Sequence, residues 1–423
     1  MDGGGSWAII QLRALIDLYG YNATGYTVLQ DFDLVAANSG GSITAAALAA
    51  NWNLADALNL FLSERQRQQV FVALPWYDRI SNSVLGLGPK YGNGDKFAGL
   101  CRIFGGFANV PLDQVPALVQ AATNRRTDFI IPGFDYDRLR EVLFRSQPWS
   151  ARASFIRPPT PTMIAAVHAS SSAPVNFFDQ PARLPGLNSF RLWDGGVCGL
   201  NNPTQIGVLE LLSNGETPAS IEVLSIGTGT VRRPVMPGLA PAPSPLYTAP
   251  STGGTVSDLK TLAGSVTDDP PDAATYEAYL TLGRRLPANV GEAPLKPDRF
   301  VRMSPLIQPI SQGPDPVNLE NSPVVVPPLA DNALVPGATA LENFKNLADL
   351  SMDAVATSDI NLIQLLTNKW IDGAVYNQPV RSNYTFGCEI GHRYYPDAKA
   401  DWLAVVGRTA PPPDPKASSG GVP

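Results

Sequence analysis

A serine and an aspartate, each set among small residues, are the groups in this chain best placed to do chemistry. In Phe32 to Asn51, FDLVAANSGGSITAAALAAN, a short apolar run (Leu34, Val35, Ala36, Ala37) meets Asn38-Ser39-Gly40-Gly41 and then a run built mostly of alanine. An apolar strand, a tight turn of small residues and an alanine-rich helix make the context in which a serine is held exposed on a strained turn as a nucleophile. The pattern is Ala37-x-Ser39-x-Gly41, one methyl away from Gly-x-Ser-x-Gly. Amides at the start of the following helix, beginning with Gly40, point toward one spot where the helix dipole favours negative charge, which suits an oxyanion. The competing reading is a strand-to-helix turn whose serine only caps the helix.

Two further stretches complement the serine. Asp2-Gly3-Gly4-Gly5 precedes an amphipathic stretch with Trp7, Ile9, Ile10, Leu12, Leu15, Ile16 and Leu18 at helical spacing. Successive glycines before a helix leave amides that an anion can approach, and Asp2 can accept from the loop's own amides. Paired with Gly40, Gly3, Gly4 and Gly5 would complete an oxyanion hole; otherwise they are a flexible start of no consequence. Asp194, in Trp193-Asp194-Gly195-Gly196, stands at an expected strand end on a glycine turn, where a carboxylate can accept the proton of a serine hydroxyl or can simply belong to an ordinary Asp-Gly turn. Only two histidines exist, His168 and His392, so a carboxylate base is the simpler arrangement. The order Ser39, Asp194, His392 nevertheless matches a Ser-Asp-His triad.

The elements that must carry these groups follow from periodicity. Leu54 to Leu74 reads as helix, and Val70 to Leu87 is aromatic-rich without a clean period, either core over a sheet edge or an acyl-chain wall. Phe129 to Ile131 reads as a strand, Tyr136 to Arg145 as a helix with Leu139, Val142 and Leu143 on one face, and Met163 to His168 as a helix of small residues running into Ser170-Ser171-Ser172-Ala173-Pro174, whose serines suit capping and packing. Ile221 to Ile226 is an expected strand ending in Gly227-Thr228-Gly229, Phe300 to Met303 another, and Asp272 to Leu282 a helix. Leu341 to Trp370 predicts two helices meeting near Thr357-Ser358-Asp359.

These motifs, in this order, resemble the patatin-like phospholipase family: the Asp-Gly-Gly-Gly loop, the serine elbow, Ser-Ser-Ala-Pro, Asp-Gly-Gly with Asn201-Asn202-Pro203, and Leu224-Ser-Ile-Gly-Thr-Gly229. The resemblance covers residues 2 to 229. It implies an α/β fold of three layers, α/β/α, around a mostly parallel sheet, and a Ser/Asp dyad with Ser39 as nucleophile, Asp194 as base and Gly3, Gly4, Gly5 and Gly40 around the oxyanion. It also implies a phospholipid or other acyl-lipid substrate, transient contact with a membrane surface, and no cofactor or metal. Trp7-Ala8 stand where the family usually has a basic residue and glycine, and Ala37 replaces the leading glycine of the elbow. A non-catalytic lipid-binding protein of the same fold is the rival from another class.

Composition narrows the field. The chain has 423 residues, 44% hydrophobic and 16% charged, with a net charge of -6 and no basic run, which argues against a nucleic-acid partner. Three widely spaced cysteines, Cys101, Cys198 and Cys388, make neither a disulfide framework nor a thiolate zinc site. No stretch approaches the roughly 20 apolar residues of a membrane span, and the start lacks the regions of a signal peptide, so the chain reads as cytoplasmic, with signal-independent export still compatible. No apolar strand precedes Asp2, so the expected sheet either lacks its first strand or begins upstream of Met1. The expected organisation is a catalytic core over 1–229, a linker over 230–257 with six prolines, a mainly helical cover of the same domain over 258–409, and a disordered tail over 410–423.

Overall fold

The computed structural model describes residues 1–74, 89–147, 160–231 apart from 175, 176 and 186, the single residue 254, and 272–284, 299–311, 324–377 and 391–412. The expectations for the aromatic segment beyond residue 74, the proline-rich linker, the tail beyond residue 412 and Cys388 lie outside these residues.

One strand organises the N-terminal half. β2 (Asp128–Asp135) is buried along nearly its whole length. Along one edge it pairs with β3 (Arg140–Arg145), from Ile130 opposite Arg145 to Asp135 opposite Arg140. A residue in a strand has two sides, so β1 (Leu34–Ala36) and β5 (Leu187–Asp194) must share the other edge. They divide it: β1 runs parallel to Asp128, Phe129 and Ile130, and β5 runs antiparallel to Gly133, Phe134 and Asp135, with Asp194 opposite Gly133. The C-terminal ends of β1 and β5 therefore meet head to head. Residues following Ala36 are thereby brought to residues at and after Asp194, although they are more than 150 positions apart in the chain. β4 (Ala182–Leu184) extends the sheet beyond β5.

β6 (Val223–Ile226) and β8 (Phe300–Met303) form a separate parallel pair, while β7 (Thr230–Val231), β9 (Pro305–Ile307) and β12 (Tyr376–Asn377) make a small mixed sheet and β10 (Ile310–Ser311) pairs with β11 (Val324–Val325). The α/β class follows from this arrangement of helices on mixed sheets with parallel strands. Among the described residues three of the strand pairings are parallel and five antiparallel, so the pairing is mixed. The chain start lies between β1 and β6: Met1 donates its amine to Ala36 O (2.8 Å), Asn38 N donates to Met1 O (3.1 Å) and Asp2 N to Ile226 O (3.0 Å).

The helix Ile9–Tyr19 is more than an amphipathic surface helix. Ile9, Ile10, Gln11, Leu12, Ala14, Leu15, Ile16 and Leu18 are all buried, because helices Leu54–Leu62 and Thr357–Ile371 cover the faces that the sheet layer leaves open. Helix Ser39–Ala49 is likewise buried almost all round, which its small side chains permit: a Cβ on Gly25 would stand 2.1 Å from Leu48 O. A smaller core of Val208, Ile221, Ala278, Tyr279, Leu282 and Phe300 joins helices Thr204–Ser213 and Asp272–Thr281 to β8.

Two expectations change. Tyr136 to Arg145 is a hairpin arm and its turn, not a helix: Asp135 Oδ1 accepts from the amides of Asp137 (3.0 Å) and Arg138 (3.1 Å), reversing the chain, and β3 then satisfies the free edge of β2. Leu54 to Leu74 is two helices, Leu54–Leu62 and Glu64–Val70, broken at an extended Ser63. The C-terminal helices Ala340–Asp349 and Thr357–Ile371 are joined by 350–356, and that connection touches the candidate site.

Candidate active site

Ser39 leaves β1 with φ of 48°, a left-handed backbone that a serine adopts only at some cost. Its surroundings hold it there. Ser39 N donates to Ser170 Oγ (3.1 Å), and Ser170 Oγ donates to Asn38 Oδ1 (3.0 Å). Asn38, completely buried, then donates Nδ2 to Asp194 Oδ1 (3.0 Å) and, more distantly, to Asn201 Oδ1 (3.5 Å). One asparagine thus ties the serine turn to the carboxylate at the end of β5. Ser39 itself is half-buried, and its hydroxyl lies close enough to the Asp194 carboxylate to favour the ionised form.

Asp194 Oδ1 also accepts from Gly196 N (2.8 Å), while Asp194 N donates to Ser172 O (2.9 Å). Both hydrogen-bond donors to the carboxylate, the Asn38 amide and the Gly196 backbone, fall on Oδ1. Burial pushes the Asp194 carboxyl above its ordinary value of 3.8; the Gly196 amide, the Ser39 hydroxyl, the Asn38 amide and the charge of Lys96 oppose the shift without cancelling it. Lys96, wholly buried, donates Nζ to His168 O and Ser172 Oγ, both at 3.0 Å, and lies 4.4 Å from the Phe178 ring centre. Burial draws its ammonium well below the usual lysine range, against the pull of Asp194.

The glycine loop packs directly on the serine turn. A Cβ on Gly40 would stand 2.5 Å from Gly5 O and 2.8 Å from Gly5 N, and one on Gly3 would lie 2.9 Å from Ser39 Cβ. Gly5 itself has φ of 55°. Gly3 N donates to Asn201 O (2.8 Å), whereas the amides of Gly4, Gly5 and Gly40 donate to no group among the described residues. Unpaired amides beside a serine hydroxyl are donors of the kind that an oxyanion requires. Asp2 does not accept from the loop's amides, as the sequence suggested; its carboxylate is taken by Arg302.

A cleft of about 390 Å³, counting its open side, is lined in part by Ser39, Gly40 and Gly5. Its walls are mostly apolar, with Ile43, Val70, Phe71, Phe177, Phe178 and Met352, and one carboxylate, Asp353, which accepts from Tyr91 OH (2.7 Å) and Lys90 Nζ (3.0 Å).

The histidines take no part in this arrangement. His168 packs against Phe97 with ring centres 4.9 Å apart, and burial, reinforced by Lys96, drives its pKa well below 6.5, so it is neutral. His392 pairs through Nε2 with Asp401 Oδ2 (2.7 Å) and does not line the cleft. Cys198 follows Asp194 closely, but burial pushes its thiol up to about 12, and it stays protonated. Among the described residues no group of three or more His, Cys, Asp or Glu could hold a metal ion.

The structure thus brings together Ser39, Gly40, Asp194 and Gly3 to Gly5, from three separate motifs. Asn38, Ser170, Lys96 and Arg302 were not evident as site residues. Asn38 and Ser170 had a local signal, being the polar residues inside motifs already picked out; Lys96 and Arg302 had none.

This geometry can be set beside known proteins. The model of the patatin-like phospholipase family matches residues 1–208. Residues 1–208 are a patatin-like phospholipase domain. No curated protein matches the chain. The family supports lipid acyl hydrolysis as the general activity of the domain, and so a lipid as its substrate. No helix among the described residues is long and apolar enough to cross a membrane.

Proposed function

We propose that the patatin-like domain hydrolyses acyl esters of lipids through a Ser39/Asp194 dyad. The observation that carries this reading is the pairing of Ser39, strained and half-buried, with a buried carboxylate on one side and the unpaired Gly5 and Gly40 amides on the other. In the first step Asp194 takes the hydroxyl proton as Ser39 Oγ bonds to the ester carbonyl carbon. The carbonyl oxygen gathers negative charge facing the amides of Gly4, Gly5 and Gly40, with Gly3 supplying clearance beside the serine. Collapse expels the alcohol, which leaves with the proton from Asp194. Water then attacks the acyl-enzyme, giving its proton to Asp194, and release of the acid returns that proton to Ser39. Removing one oxyanion donor typically costs about 10²- to 10³-fold in rate, so loss of Ser39 or Asp194 costs at least as much.

The apolar walls of the cleft suit an acyl chain, and the C-terminal helices are read as cover of this same domain. Intact-mass detection of fluorophosphonate labelling tests the assignment, because the probe reports an activated serine without the right lipid. The expected result is single labelling of wild type, lost in Ser39→Ala and Asp194→Asn. A folded wild type that takes no label overturns the hydrolase reading.

A further inference from the structure

The glycine loop is held at both ends by residues beyond the 208 that the family model matches. At its start, Arg302 Nη1 donates to Asp2 Oδ1 (3.0 Å) and Nη2 to Asp2 Oδ2 (2.6 Å), with the two side chains 1% and 0% exposed. Arg302 Nη1 also donates to Ser225 Oγ (2.7 Å), which fixes the guanidinium plane against β6. A fork on a carboxylate sets direction as well as distance, which a point charge does not. The motif Leu224 to Gly229 is explained by this contact: Ser225 holds the guanidinium, Gly227 gives it room, since a Cβ there would stand 2.7 Å from Nη2, and Thr228 Oγ1 donates to Gly3 O (2.7 Å). At the far end Ser6 donates N to Met352 O (2.9 Å) and Oγ to Ala354 O (2.7 Å), and a Cβ on Gly5 would meet Met352 O at 2.3 Å.

A buried ion pair is weak evidence of stabilisation, because desolvation offsets the attraction; what a fork with a third partner supplies is one fixed geometry. Here that geometry ends one residue before the glycines. We propose that Arg302, acting through Asp2, is a positioning residue that holds the Gly4 and Gly5 amides in place for the oxyanion, so that residues beyond 208 complete the catalytic machinery. The inference rests on the hydrolase reading and adds to it a residue that touches no reacting atom.

Its test combines short-chain p-nitrophenyl ester kinetics with hydrogen exchange of residues 1–8, on the full chain, for Arg302→Met, Arg302→Lys and Asp2→Asn. Misplacing a donor by about 1 Å costs on the order of 10²-fold. The expected result is therefore a kcat lower by about 10²-fold in Arg302→Met and Asp2→Asn, with KM within about threefold of wild type, partial recovery in Arg302→Lys, and faster exchange at Gly4, Gly5 and Ser6. A purely structural ion pair would lower the melting temperature while leaving kcat of the folded fraction and loop exchange unchanged, and that result overturns the proposal. Should Arg302→Met fail to fold, Arg302→Lys and Asp2→Asn decide, since both keep nearly the native volume. A wild type that neither labels nor hydrolyses defeats the hydrolase reading and the catalytic role of Arg302 with it, while unchanged exchange in an active series defeats the positioning role alone.

Discussion

Replacing Gly40 by alanine asks whether the serine turn and the glycine loop must touch. The added methyl would stand 2.5 Å from one backbone atom of Gly5 and 2.8 Å from another, where real contacts rarely fall below 3.0 to 3.4 Å. The two segments must therefore part by roughly 0.5 to 0.9 Å, and neither is free to move. Gly41 already abuts the Asp2 and Met1 carbonyls, with a Cβ position 2.5 Å from Asp2 O, and Gly5 abuts Met352 O. A displacement of that size between nucleophile and oxyanion donors costs about 10²-fold in rate, or about 2.7 kcal/mol of transition-state stabilisation. Overpacking removes about 1 to 3 kcal/mol of stability besides. The assay is kcat/KM on a short-chain ester together with the rate of fluorophosphonate labelling, with a thermal melt to show that the fold survives. Gly94→Ala is the control: nothing lies within 4 Å of its Cβ position on helix Asn93–Phe104, so activity should hold and stability rise by up to about 1 kcal/mol. A folded Gly40→Ala enzyme with kcat/KM within about threefold of wild type refutes the reasoning, because the two amides would then not share one oxyanion.

Four other outcomes follow from the same geometry. Asp194 must be ionised to accept the serine proton, so kcat/KM should fall with acid along a limb lying above the ordinary carboxylate value of 3.8, in the direction that its burial dictates. The folded state binds that proton more tightly than the unfolded state, so ionised Asp194 subtracts from stability as pH rises from 3.8 through the raised value; Asp194→Asn should be the more stable protein at neutral pH in urea unfolding, with the difference vanishing at strongly acid pH. His392→Ala should keep kcat/KM and labelling near wild type, because the ring pairs with Asp401 outside the cleft, and a loss of both would revive the triad. Asn38→Ala removes the amide that joins Ser170 to Asp194, and should cost about 10²-fold in kcat and move the acid limb further up, read from the pH profile; an unmoved limb would show that Asn38 does not support the carboxylate.

What was legible in the sequence was whatever chemistry sat in contiguous residues. Ser39 and Gly40, Asp194 and the glycine triplet are each announced by small neighbours that tight backbone contact demands. The hairpin over 136–145 was missed because Leu139, Val142 and Leu143 fit a helical face as well as Val142 and Phe144 fit a strand; the local signal was Asp135, whose side chain closes the turn, and the deciding one was the unsatisfied edge of β2, which is not local. Arg302 is separated from Asp2 by 300 positions, and inside Phe-Val-Arg-Met it looks like an outward-facing residue of an edge strand. Lys96 sits on an unremarkable helix, and only the packing of Asn93–Phe104 on Met163–Ser170 drives its ammonium under the serine segment.

In the proposed dyad, a carboxylate doing alone the work usually shared with histidine has to be basic without being protonated. Burial by itself would carry Asp194 too far, toward a neutral acid that accepts nothing. Two donors on Oδ1, from Gly196 and Asn38, oppose that rise. The serine has the matching difficulty, since a left-handed backbone costs of order 1 to 2 kcal/mol and would relax if unsupported. Its support is the Ser170 hydroxyl, whose own proton goes to the same Asn38 that restrains Asp194. On that proposal, strain at Ser39 and basicity at Asp194 are not separate adjustments. Both depend on one buried amide, which sits where β1 and β5 come together on a single edge of β2, so the strand pairing that builds the sheet also sets the chemistry at its end.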